Sequence, residues 1–284
     1  MYIEKNLRRF KVTYLIGRQI RKVQFFIQFM IIFNIKKLLR ENGITKDSPY
    51  EKLKMLKNKH QGERCFIVAT GPSLTMQDLE KMKNEITFSM NSICLAFDET
   101  DWRPTYYGIQ DMNVYSKMRE YIEKLNVECK FIGDNISKHI KGLENQYTFP
   151  LNMLHHNVNN KKYRTKFSDN AYAVVYSGYS ITYSLLQIAA YMGFEEIYLV
   201  GTDCNYPSNM KHHFKEYGHV DPNFSQAHDQ MIAAYEEAKK YTENNNIKIY
   251  NATRGGMLEV FERVDLDKVL VERKKTFLRH RACK

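Results

Sequence analysis

Several familiar classes are excluded by what the chain lacks. Its five cysteines, Cys65, Cys94, Cys129, Cys204 and Cys283, are odd in number and scattered, with no CxxC pair. That pattern argues against a zinc knuckle and for free, mostly buried thiols in a reducing cytoplasm. The beginning has no short basic region, apolar core and small-residue cleavage site of the secretory kind. The apolar run Val23 to Ile35 (VQFFIQFMIIFNI) is too short to cross a bilayer: as helix it covers roughly 20 Å against a hydrocarbon core of about 30 Å. There is no internal repeat or low-complexity segment, and no Walker loop or GxGxxG. No stacking-aromatic or recognition-helix pattern accompanies the basic residues, so nucleic acid is not an expected partner.

What is present is 284 residues with 43% apolar content, enough for one large domain with an appendage. The net charge of +11 is lopsided: residues 1–60 hold 15 Lys/Arg against four acids, and the remainder holds 28 of each sign. Within that basic stretch, Arg18, Arg21 and Lys22 precede the apolar run and Lys36, Lys37 and Arg40 follow it. We therefore expect residues 1–60 to form a helical extension that lies on an anionic membrane surface, at the inner face of the cell membrane. The competing expectation is that it packs on the main domain or on a second copy of the chain. Residues 267–284 form a basic tail, a second candidate for contact with a membrane surface.

From residue 61 to 266 apolar strands alternate with helical patterns. Strands are expected over 64–70, 86–90, 105–109, 129–133, 147–149, 196–201 and 247–251. Helices are expected over 75–83, 112–125, 179–192 and 225–243. This alternation predicts an α/β, Rossmann-like, mostly parallel sheet with helices on both faces, with ligands at the carboxyl ends of the strands. The stretch 151–176, rich in Asn, Lys and Tyr, is expected to leave the sheet as a lid or binding loop.

Four strand or helix ends carry candidate chemistry. In RCFIVATGPSL (64–74) a strand runs into a Gly71-Pro72-Ser73 turn and a helix, the layout of a phosphate cradle and equally of a turn with a Ser cap. Asn91 follows the next strand, where its amide meets a ligand or simply makes a turn. Ser177 and Gly178 precede the helix 179–192, as an anion site or a plain cap. Asp203 ends the strand of EIYLVGTDCNY, where a carboxylate faces the crevice and takes a ribose hydroxyl or a metal. Further on, Arg254 in NATRGG pairs with a phosphate or carboxylate, or points outward from a turn. Residues 205–228 hold four of the nine histidines and two tyrosines, a density that fits an active-site loop.

The succession GPSL, Asn91, PTYYGIQD (104–111), YSGYSITYSLLQIAAYMGFEEIYLVGTD (176–203) and IKIYNATRGGMLEVFERVDL (247–266) resembles the domain-of-unknown-function 115 superfamily. That superfamily includes the MptE-like 6-hydroxymethylpterin diphosphokinases. Its strand-end motifs are similar to those of the bacterial lipooligosaccharide sialyltransferases of glycosyltransferase family 42. The likeness spans roughly 62–266 and implies nucleotide-binding roles for Gly71, Pro72 and Ser73, for Asn91, for Ser177 and Gly178, and for Asp203. Thr70 stands where the sialyltransferase loop has Asn, and Asp111 where relatives have Asn. The same resemblance implies tyrosines that steady the leaving phosphate, here Tyr206 and Tyr217, and a histidine base. His228 matches that base best by position, with His213 its competitor and His219 behind both.

The activity implied is glycosyl transfer from a nucleotide-activated donor, a CMP-sugar, to a surface polysaccharide or lipid-linked acceptor, with no cofactor required. The alternatives are an MptE-like diphosphokinase using ATP and magnesium bridged by Asp203 and Asp111, and a non-catalytic binding protein on the same fold.

Overall fold

The computed structural model describes residues 2–45, 47–140, 142–157, 165–205, 213–218 and 224–271. Its centre is an eight-stranded sheet in which every neighbouring pair is parallel. The strands are β1 (Arg64–Val68), β2 (Thr87–Met90), β3 (Tyr106–Ile109), β4 (Cys129–Gly133), β5 (Gln146–Phe149), β8 (Glu196–Val200), β9 (Lys248–Asn251) and β10 (Glu262–Arg263). Two further short strands, β6 (Leu151–Asn152) and β7 (Val175–Tyr176), pair with each other beside it. The order is β10-β9-β8-β1-β2-β3-β4-β5. Strands buried on both faces read as apolar runs rather than alternations, which is why RCFIV and EIYLV stand out in the sequence.

Both faces are covered. On one side α7 (Ile181–Tyr191) and α8 (Phe224–Glu243) pack Leu185, Ile188, Ala234 and Tyr235 against Ile67, Phe88 and Phe131. On the other, α3 (Met76–Lys81) and α4 (Met112–Lys124) pack Leu79, Val114 and Met118 against Phe66, Val68 and Ile132. The expected Rossmann-like α/β fold is therefore present. Its chain reverses direction across the sheet at β1, which lies between β2 and β8.

Of the stretch 151–176, residues 158–164 lie outside the described residues; 165–176 are tied to the body. Gln187, fully buried on α7, accepts from the amides of Ser168 and Tyr176 and donates to the carbonyls of Tyr176 and Tyr183. One buried amide thereby satisfies four backbone groups and ties β7 to the body.

The amino-terminal extension is one unbroken helical rod: α1 (Tyr2–Phe26), a π-helical segment (Ile27–Ile32) and α2 (Phe33–Glu41), about 60 Å in all. Its last turns are seated on the body. Phe33 and Arg40 are buried, and Arg40 donates to the carbonyl of Ala173 at 2.6 Å while its guanidinium lies over the ring of Tyr50. Leu53 and Leu56, which the sequence groups with the extension, belong to the main core. No helix among the described residues is long and apolar enough to cross a membrane.

Candidate active site

The reversal of strand order at β1 opens a crevice between the carboxyl ends of β1 and β8, the place where parallel α/β sheets take their ligands. A cavity of about 450 Å³ occupies it, within the range of small-molecule sites. Thr70, Gly71 and Pro72 follow β1 into it, Asn91 follows β2, Gln110 and Asp111 follow β3, and Thr202 and Asp203 follow β8. The approach to α7 contributes Ser177, Tyr179 and Ser180, while His156, His213 and Tyr217 close the walls. The carboxyl-end convergence brings together residues separated by more than a hundred positions.

The corner between β1 and β8 is fully interlocked. The Ser73 hydroxyl donates to Asp203 Oδ2 at 2.8 Å, and the Ser73 amide reaches the same oxygen at 3.4 Å. Gly71 has no room for a side chain: a Cβ there would lie 2.0 Å from Asp203 Oδ2 and 2.4 Å from the carbonyl of Gly201. From the other side Gly256 packs on the backbone of Asp203, and the Met257 amide donates to the Asp203 carbonyl at 2.7 Å. Burial pushes the Asp203 carboxyl above its ordinary value, and the bonds from Ser73 pull it part of the way back.

Of the Gly-Pro-Ser turn, Gly71 and Pro72 line the cleft and Ser73 does not. Ser73 is bound to a carboxylate of the chain itself. The start of α3 is closed by a capping box in which the Thr75 side chain accepts from the Asp78 amide and Asp78 accepts from the Thr75 amide.

Arg254 is likewise paired with a carboxylate of the chain itself. Its guanidinium forks onto the buried Asp78 carboxylate, with Nη1 to Oδ1 at 2.9 Å and a second bond from Nη2 to Oδ2, so it ties the loop after β9 to α3 and does not line the cleft. Asn251 and Thr253 complete this buttress: Asn251 donates to the Leu258 carbonyl, and Thr253 Oγ1 accepts from the Thr202 amide at 3.0 Å.

The opposite wall is strained and incompletely paired. Three residues without a glycine's freedom hold positive φ at the cleft: Asn91 (49°), Tyr179 (61°) and Cys204 (50°). Such strain collects at binding sites. Asn91 is held there by the Tyr107 hydroxyl, which donates to its carbonyl at 2.7 Å. Its Oδ1 is buried without a partner, as is Oγ1 of Thr202. Each such atom costs free energy unless a ligand or water supplies the missing bond. Gly178 does not line the cleft; at φ 50° a Cβ would strike the ring of Tyr183, so the position shapes the turn into α7.

The histidines separate clearly. His213 lines the cleft, its segment clamped by the Phe214 amide donating to the Thr70 carbonyl at 3.0 Å and by Lys215 donating to the Leu95 carbonyl at 2.7 Å. The Tyr217 hydroxyl stands 3.5 Å from His213 Nε2, and burial pushes its pKa up to about 12. His228 is not part of the lining. It lies in α8 with Nδ1 2.6 Å from the Cys204 carbonyl, behind the strained turn rather than at its mouth. Tyr206 and His219 lie outside the described residues.

The sequence reading missed His156, which lines the cleft stacked on Tyr179 at 4.5 Å, and the buried His155 beneath, held neutral by burial with a pKa pushed down to about 3. The HH pair in NMLHHNVNN was the available signal. No lysine or arginine lines the cleft among the described residues. Asp111 and Asp203 follow strands three places apart, about 14 Å at the strand spacing, and Asp111 Oδ1 already caps α4 by accepting from the amides of Asn113 and Val114. A magnesium ion bridging the two carboxylates does not fit that arrangement, and among the described residues no group of three or more metal-ligating side chains is found.

A family model described as 6-hydroxymethylpterin diphosphokinase MptE-like matches residues 39–209. The chain belongs to the MptE-like family. The matched span runs from the seat of the helical rod through β8 past Asp203, so it contains the strand-end lining of the cleft but not His213 or Tyr217. No curated protein matches this MptE-like chain. Among solved structures it is similar to that of the MAf glycosyltransferase from Magnetospirillum magneticum AMB-1, at 14% identity and a TM-score of 0.49 over 80% of this chain. The chain spans 38% of that protein's length, and a likeness at this level carries nothing about activity.

Proposed function

We propose that this MptE-like protein is a transferase that binds a nucleotide-activated sugar, a CMP-sugar, in the cleft and passes the glycosyl group to an acceptor hydroxyl. The observation that carries the reading is the strand-end cleft of about 450 Å³, which Asn91, Ser177, Thr202 and Asp203 line and His213 overhangs. A lining of short polar side chains suits a base edge or ribose hydroxyl better than an apolar ligand.

His213 takes the role of base in preference to His228, because it lines the cleft. It removes the acceptor hydroxyl proton as the new bond forms at the anomeric carbon; the bond from that carbon to the phosphate oxygen breaks, and the nucleoside phosphate departs with the electron pair. Tyr217, neutral because its pKa is pushed up to about 12, donates to the developing phosphate charge.

A second reading, diphosphoryl transfer from ATP, is favoured by the family's description and by the place of the Asp203 carboxylate in the cleft lining. The two are separated by incubating the protein with a panel of nucleotide sugars, and with ATP and magnesium, and measuring the released nucleoside phosphate. Release of CMP, reduced about 100-fold or more by His213→Asn with donor binding retained, is the expected result. AMP release only with ATP, magnesium and a pterin alcohol would replace the glycosyl-transfer reading with the kinase one.

A further inference from the structure

The helical rod presents a face that nothing among the described residues covers. Ile20, Val23, Ile27, Ile31, Ile35 and Leu38 recur at three- and four-residue steps along it, each between 42% and 60% exposed. The inner side of the same helix is set by Phe29, Phe33 and Arg40, which are half-buried or buried against the body. The exposed stripe therefore points away from the protein along the seated part of the rod. Exposed apolar area continuous over several turns marks an interaction surface.

Charge decides what covers it. Apart from Arg40, which is buried on the body, residues 13 to 41 of the rod carry five cations at its surface, Arg18, Arg21, Lys22, Lys36 and Lys37, against one acid, Glu41. Pairing two such rods would bring like charges together, with almost no carboxylate to relieve them. An apolar stripe on a rod of net positive charge matches a surface that is apolar beneath and anionic above, which is a bilayer containing acidic lipid.

We infer that the rod lies along an anionic lipid surface through this stripe and holds the cleft-bearing body beside that surface. The coupling to the cleft is direct. The Phe29 carbonyl, in the π-helical segment, accepts from Asn152 Nδ2 at 3.1 Å. Asn152 in turn accepts at its backbone carbonyl from the amide of Ser177, a cleft residue. The rod also touches α6 (Leu154–Asn157), which carries His156 of the cleft wall. On the transferase reading given above, on which this part rests, the acceptor is a lipid-anchored glycan or alcohol presented by the same surface.

The sequence supplies its own control for a test. Its single tryptophan, Trp102, is 2% exposed in the core. An Ile27→Trp variant of the full chain is mixed with vesicles of equal parts phosphatidylglycerol and phosphatidylcholine carrying brominated acyl chains, and with vesicles of phosphatidylcholine alone. The fluorescence of the introduced indole should be quenched by the anionic vesicles, and that of the unaltered protein should not. Neutralising Arg18→Gln, Arg21→Gln and Lys22→Gln together should weaken vesicle binding roughly 100-fold, each cation near an anionic surface contributing about fivefold.

Equal binding to neutral vesicles, or no quenching together with a dimer by light scattering that the Ile27→Ser, Ile31→Ser variant abolishes, would overturn the inference. Neither readout depends on turnover. Vesicle binding without activity on any nucleotide sugar would leave the lipid surface standing and remove the transferase reading instead.

Discussion

The cleft and the rod break the usual segregation of polar and apolar groups in opposite senses. Among the described residues, Asn91 Oδ1 and Thr202 Oγ1 in the cleft are buried with nothing to bond; on the rod, Ile27, Ile31 and their neighbours are exposed with nothing to cover them. The first deficit is one of hydrogen bonds, so what removes it is a polar ligand small enough for about 450 Å³. The second is one of apolar contact on a rod of net positive charge, so what removes it is an extended anionic surface. Each region states the chemistry of its missing partner by what it fails to satisfy. Between them the Phe29–Asn152–Ser177 chain of bonds makes the two deficits neighbours.

Perturbing the scaffolding of the cleft should cost far more stability than perturbing the rod. Gly71→Ala puts a methyl 2.0 Å from the Asp203 carboxylate, with Gly201 blocking retreat. A loss of about 3 kcal/mol or more is expected in chemical denaturation, and an unchanged midpoint would show that the corner yields. Arg254→Ala should cost roughly 1–3 kcal/mol, because the buried Asp78 is left without its fork. Asp78→Asn in the same chain should recover part of that loss. Were Arg254→Ala instead neutral for stability while weakening nucleotide binding, Arg254 would belong to the ligand and not to the buttress.

The pH response sharpens the picture of the cleft wall. His155 has a folded-state pKa of about 3 against an ordinary 6.5. Between those values the unfolded chain binds a proton that the folded chain refuses. Its contribution is therefore complete above pH 6.5 and is lost on acidification toward 3, at about 1.4 kcal/mol per pH unit. Asp203 and Asp134, both raised by burial, act in the opposite sense: the folded state takes up their protons first, so acidification through their raised values favours it. His155→Phe should flatten the decline of stability between pH 6.5 and 5, and an unaltered slope would place that decline elsewhere. The smallest effect belongs to the rod. Ile27→Ser with Ile31→Ser should leave the denaturation midpoint within about 0.5 kcal/mol, and a large loss would mean that the stripe is covered by protein after all.

How much of this was legible in the sequence follows from how local each signal is. The runs at 64–68, 129–133 and 196–200 are short, apolar and bounded by turn residues, so strands and their carboxyl ends could be placed to within a residue or two. The two-residue strands β6, β7 and β10 have no period to read. At the site, Asn91, Ser177 and Asp203 were found from their places at element ends. What they do was not, because it is set by partners far along the chain. Ser73 meets Asp203 across 130 residues and Arg254 meets Asp78 across 176, so a turn and a cation that look free in sequence are occupied in the fold. The choice between His213 and His228 likewise turns on which side of Cys204 each one falls, a matter of packing that spacing does not encode.

The central claim is that the polar strand-end lining of the cleft makes the ligand's contacts, and Asn91→Gly isolates it. Glycine keeps the φ of 49° without strain and removes only the amide. Thermal shift and calorimetric titration of both proteins against CMP, UDP, ADP and ATP, with and without magnesium, is the direct measurement. We expect CMP to stabilise the unaltered protein without metal, and Asn91→Gly to fold as well while binding at least about tenfold more weakly. Undiminished CMP binding by Asn91→Gly, or no stabilisation of the unaltered protein by any nucleotide, would contradict the account.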